Sequence, residues 1–254
     1  MPWDRLPPCR AVLAVDARNF SAHTSKVMQE LNPEIQHLLT MALDDIGLAA
    51  SWEAREFGQH TGDGYVAGLQ QEVLPGLVGP FPTALQRRLA ERNAEHRGRT
   101  PLQLRVSIHA GPLPDSGLGV PMVHTHRLLD DAALRELLAR ANPEITFAAF
   151  VVSQRVYEDV FESDCNIGDV HRGHYVRYIA KVKSFEQPAW LHVPGLDWSL
   201  ADPALFGGPA DSEATQKADK SATRAMPAVT FNSQGDHTYQ AMRQRNNHRF
   251  GGAQ

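Results

Sequence analysis

The run RAVLAVDARNFS occupies Arg10–Ser21. Its first part is apolar and too short for a helix, so it predicts a buried strand over Arg10–Asp16. A carboxylate, Asp16, closes that strand. The turn ARNFSAH follows and leads into a long helical pattern. An acid at a strand end beside a helix start offers a place for a cation next to a place for phosphate, because the first-turn N–H groups are unpaired.

Outward from this run, Leu31, Ile35, Leu38, Leu39, Ala42 and Ile46 keep helical spacing. They predict a helix over Thr24–Ile46 that starts or kinks at Pro33 and stops at Gly47. Trp52–His60 and Tyr65–Leu69 read as strands joined by a tight turn at Gly62-Asp63-Gly64. Helices are expected over Pro82–Arg97, Met122–Ala141 and Gln154–Phe161. Strands are expected over Leu102–Ala110, Ile145–Val152, Tyr175–Lys183 and Ala189–Val193. The order is βαββαβ, then one more αβ unit and a closing hairpin. The fold class that follows is α+β, a ferredoxin-like sheet with helices packed on one face.

Composition narrows the function classes. The chain has 254 residues, 21% of them charged, and a formal net charge of -4. Bulk charge therefore does not hold it on nucleic acid, which is an unlikely partner on this ground. Mean hydropathy is -0.36, and no apolar run approaches the roughly 20 residues of a membrane span. MPWDRLPPCR reads without a signal-peptide core. The two cysteines, Cys9 and Cys165, form no metal-type pair and no disulfide framework. The expected setting is the reducing cytoplasm.

If the hairpin packs beside the first strand, Asp16 and Asp63 meet at one end of the sheet. Two carboxylates there suit Mg²⁺ or Mn²⁺ and chemistry on a nucleoside triphosphate. On spacing alone, Asp63 reads first as a plain hairpin turn and Asp16 as a solvated strand end. The histidines do not read as a zinc site. His124 and His126 point to different faces of a helix, His171 and His174 bracket a loop glycine, and His109 reads as structural. There is no phosphate-binding glycine-rich loop and no nucleophile elbow.

Taken together, the motifs resemble those of class III nucleotidyl cyclases. VDARNFS is similar to the first metal motif of that family, and HTGDGYVAGL to its second metal hairpin. LQLRVSIHAGPL is similar to its L-R-[IV]-x-[IL]-H-x-G strand, GVPMVHTHRLLD to its catalytic helix segment, and VKSFEQPAWLHVPG to its closing hairpin. The matches come in family order over about Arg10–Val193. The resemblance implies that Asp16 and Asp63 bind two metal ions, and that the backbone at Asn19, Phe20 and Ser21 holds the triphosphate. It implies that Arg127 supports the transition state across a homodimer and that Lys183, with Lys181 as rival, faces phosphate. The 3′-OH would attack the α-phosphate and pyrophosphate would leave.

Three positions depart from the family. Its base-selecting lysine falls at Gln59, its base-reading aspartate at Val120 and its catalytic asparagine at Val123. Valine can neither bond a base edge nor orient a ribose. Two readings stay open: a degenerate cyclase-like signalling protein that binds metal and nucleotide as a homodimer with little purine cyclase activity, and an active cyclase on a purine or a non-purine triphosphate. The globular domain is placed at 10–195. From 196 to 254 apolar residues thin out and a flexible low-complexity tail is expected. Within it Val229–Phe250 holds aromatic, amide and arginine side chains and is an expected interaction segment for a protein partner.

Overall fold

A computed structural model describes residues 5–196 of the chain. The expectations placed on the tail, including the segment 229–250, lie outside the described residues. The elements are β1 (Cys9–Ala17), α1 (Ser25–Asp44), α2 (Ala49–Glu53), β2 (Phe57–His60), β3 (Gly64–Gln70), α3 (Leu74–Val78) and α4 (Pro80–Glu95). They continue with β4 (Leu104–Pro112), α5 (Val120–Leu129), α6 (Ala132–Arg140), β5 (Ala148–Ser153), α7 (Gln154–Phe161), β6 (Val176–Val182) and β7 (Phe185–His192).

The strands form one sheet in the order β2-β3-β1-β4-β5-β7-β6. β1 runs antiparallel to both β3 and β4, and β2 antiparallel to β3. The sub-order β4-β1-β3-β2 is the split βαβ arrangement of a ferredoxin-like sheet. β5 extends it parallel to β4, and the β6–β7 hairpin closes it. Mixed α+β architecture on a ferredoxin-like core is thus the observed fold.

Helices cover both faces of the sheet, not the single face expected. Ala11, Leu13 and Val15 of β1 share a core with α1, α2, α3, α4 and α7. Val12 and Ala14 share a second core with α5, α6, β6 and β7. The cause lies in the strands themselves. β1 is buried at nearly every position and β5 at all of them. Strands without polar alternation bury both faces, so each face needs a layer.

Three further expectations are corrected. The first half of the supposed strand 52–60 is the helix α2, because Trp52 is buried against α1 and its Nε1 donates to Thr40 Oγ1 at 2.8 Å. The supposed helix 122–141 is two helices. Asp130 ends the first, and Asp131 caps the second, accepting from the Ala133 N–H at 2.8 Å. Pro33 neither starts α1 nor stops it. No helix among the described residues is long and apolar enough to cross a membrane.

Candidate functional site

Alternation along β1 puts Asp16 on the same face as Val12 and Ala14, under α5 and α6. It is 6% exposed. The register sets it between Gly64 of β3 and Arg105 of β4. Arg105 forks onto it: Nε donates to Oδ1 and Nη2 to Oδ2, each at 2.7 Å. Gly64 is required by contact rather than by torsion, since a Cβ there would stand 1.8 Å from the Val15 carbonyl oxygen. That close approach holds the β2–β3 turn against the end of β1. The Ala17 N–H donates to the Asp63 carbonyl at 2.8 Å, and Asn32 Nδ2 of α1 donates to the Gly62 carbonyl at 2.8 Å.

The electrostatics of Asp16 are divided. Burial pushes its carboxyl up, to about 7, while the Arg105 guanidinium pulls it down, and the charges of Asp63 and Asp130 push it up again. Two more carboxylates therefore act on a group that one guanidinium neutralises. Arg105 and Asp130 were assigned no role on the sequence alone. The signal for Arg105 is its place in LRVSIHAG, with a side chain on the sheet face that carries Asp16.

The remaining residues named from the sequence fall at various distances from this centre. Asn19 takes a left-handed conformation (φ 57°), which asparagine tolerates, and Phe20 and Ser21 form a short 3-10 turn leading to α1. Arg127 is half-buried in the last turn of α5, whose C-terminal neighbour Asp130 is the residue acting on Asp16. Val120, Val123 and Arg127 keep the spacing of one helix face, and Leu118, Val120 and Val123 are 77%, 64% and 52% exposed. Gln59 is exposed on β2, opposite Val66 and two strands from β1. It lines a cleft of about 400 Å³ with Thr61, Ser116, Met122 and His126. Lys183 does not join the aspartates within one chain. It is exposed, at φ 56°, in the β6–β7 turn, four strands from β1, or roughly 19 Å by strand spacing. Lys181 is engaged with Glu186 at 3.0 Å.

No family model and no curated protein matches the chain. Solved structures do. The guanylyl cyclase Cya2 is 17% identical at a TM-score of 0.47, over 77% of this chain and 94% of that one. The adenylate/guanylate cyclase/hydrolase from Silicibacter pomeroyi is 17% identical at 0.47, over 73% and 96%. The adenylyl cyclase CyaB from P. aeruginosa is 14% identical at 0.42, over 76% and 97%. The chain is similar to cyclase domains, and likeness of this degree assigns no activity and no residue.

Proposed function

We propose that the chain is a divergent class III cyclase-like signalling domain. In this reading it holds Mg²⁺ or Mn²⁺ with a nucleoside triphosphate, works as a homodimer, and cyclises ATP or GTP weakly or not at all. The observation that carries it is the convergence of the Asp16 strand end and the Asp63 turn, pinned by the Ala17–Asp63 backbone bond. The donor set fits a hard divalent cation. It is all oxygen, and the push of Asp63 and Asp130 on Asp16 marks a surplus of negative charge over Arg105. Each Asp16 oxygen uses one acceptor position on Arg105 and keeps another. Among the described residues no cluster of three or more His, Cys, Asp or Glu side chains could hold an ion. Asp16 and Asp63 would thus share it with water and phosphate oxygens.

Such an ion supplies charge stabilisation at the α-phosphate and its attacking and leaving oxygens. The chain's own part is positional. Arg105 fixes the Asp16 carboxylate and sets a second cation beside it. Arg127 and Lys183 would complete the site from the other subunit, since Lys183 lies too far across the sheet to serve its own aspartates. The exposed stripe of Leu118, Val120 and Val123 supports the contact between subunits. The same valines argue against purine turnover, because they offer no hydrogen bond to a base or ribose. The cleft at Gln59 favours a second reading, an active cyclase on another base: its amide, with Thr61 and Ser116, is a neutral donor-acceptor set.

The test is calorimetric titration of the full chain with Mn²⁺ and each of the four nucleoside triphosphates, with mass spectrometry of the products. Saturable Mn²⁺-dependent binding is expected, weakened more than about tenfold by Asp16→Asn or Asp63→Asn. Absence of that binding overturns the reading. Turnover of ATP or GTP at about 1 s⁻¹ or faster overturns its degenerate form, and a cyclic pyrimidine product favours the second reading.

A further inference from the structure

A cavity of about 840 Å³ opens between the N-terminal half of α1 and the C-terminal end of α4. It is more than twice the volume of the cleft at Gln59, about 400 Å³. Both helices pack on the face of β1 that carries Leu13 and Val15, so the sheet separates this cavity from the Asp16 side chain. Its size falls in the range that takes a small organic ligand, roughly 300–1,000 Å³.

The lining fixes the ligand's chemistry. Val27, Leu31 and Leu102 give an apolar wall. Arg92 is buried and spends three of its five N–H donors inside the protein: Nε and Nη2 donate to the Glu34 carboxylate at 3.0 and 2.9 Å, and Nη1 to Asn93 Oδ1 at 3.1 Å. It braces α1 against α4, with its charge paired to Glu34. Arg99 differs. It is 64% exposed, and its Nη1 stands 4.0 Å from Glu30, beyond hydrogen-bond length. Its fork is open to a better acceptor. The two arginines and two glutamates cancel in charge, which leaves the imidazoles of His23, His37 and His96 and the Thr100 hydroxyl as the remaining polar groups. Each can donate a hydrogen bond, although His96 already spends Nδ1–H on the Arg92 carbonyl at 2.9 Å. An organic cation would find its carboxylates facing guanidinium groups. An anion would find an underused arginine and donors beside it.

We propose that this cavity binds a small amphipathic organic anion, with its apolar body on Val27, Leu31 and Leu102 and its acidic head on Arg99. The site uses none of the residues assigned to metal or nucleotide and stands or falls independently of them. The test is a fluorescence titration of the full chain with 8-anilinonaphthalene-1-sulfonate, followed by displacement with decanoate, in the absence of metal and nucleotide. One saturable site that decanoate empties is expected. Affinity should fall at least about tenfold in Val27→Trp, which puts a bulky side chain on the apolar wall, and in Arg99→Glu, which reverses the head-group charge. It should hold in Ile145→Ser, which removes an exposed apolar side chain elsewhere. Arg99 is exposed, so its variant reports even if the tryptophan variant fails to fold. Absence of saturable binding, or binding that Arg99→Glu leaves unchanged, overturns the proposal.

Discussion

Arg105 and Asp16 face each other on neighbouring strands, 13% and 9% exposed at their side chains. Removing one partner of such a pair costs far more than the pair itself contributes, because the other charge stays buried. The environment of Asp16 sharpens this, since Asp63 and Asp130 both act against its ionised form. Arg105→Ala should therefore lower stability by about 1–3 kcal/mol, measured by urea unfolding at pH 7, where the carboxyl, already raised to about 7, takes up a proton rather than staying charged. Adding Asp16→Asn should restore much of the loss, because the amide is buried neutral without taking up a proton. A single-variant cost below about 1 kcal/mol, in the range of an exposed pair, would show that Arg105 does not hold the carboxylate.

At the scale of elements, Asp131 is the joint between α5 and α6. It is 3% exposed. One oxygen caps α6 at Ala133, and the other accepts from the Lys181 N–H of the edge strand β6 at 2.9 Å. Asp131→Ala removes a helix cap and strands a buried N–H, which should cost about 2–4 kcal/mol in urea unfolding. Asp131→Asn, which keeps an acceptor for the cap, should cost less; equal costs would mean that the cap bond contributes nothing. How much of the fold was legible follows the same lines. β1, β4 and β5 could be read from their apolar runs, and α1 from the spacing of Leu31, Ile35, Leu38 and Leu39. α3 was missed because the two glycines and two prolines of LPGLVGP leave no helical spacing to recognise, although Pro75 sits at the helix start, where no N–H is needed. α2 was missed because Trp52 suits a strand as well as a helix and only its bond to Thr40 decides. In the site, Asp16 and Asp63 could be named from local motifs. The Arg105 fork could not, because it depends on the β1–β4 register between segments far apart in the chain.

For the molecule as a whole, two packed faces seal titratable groups on both sides of the sheet, Asp16 and His109 on one and His192 on the other, and the carboxyl and the imidazoles act oppositely on stability. Burial pushes His192 down to about 4 even though its Nδ1–H donates to the His174 carbonyl at 2.8 Å. Burial, with the charges of His124 and Arg155, pushes His109 down to about 4 as well. Burial also lowers His124. For an imidazole lowered from 6.5, the unfolded chain binds the extra proton between pH 4 and 6.5. That stability is present above the upper limit and is lost as pH falls. Asp16, raised from 3.8 to about 7, has the opposite sign: the folded chain holds the extra proton, and its contribution is lost as pH rises through the folded value. Across the shared window two buried imidazoles oppose one carboxyl. The surplus of one proton in the unfolded chain gives a rise of about 1.4 kcal/mol per pH unit. Unfolding by urea should therefore require about 3 kcal/mol more at pH 6.5 than at pH 4.5. Replacing both histidines by asparagine should abolish that rise, because Asp16 then acts against little but His124. A wild-type chain more stable at pH 4.5 than at 6.5 would mean that the carboxyl at the head of β1 outweighs both imidazoles. The site, rather than the core, would then set the acid limit of the fold.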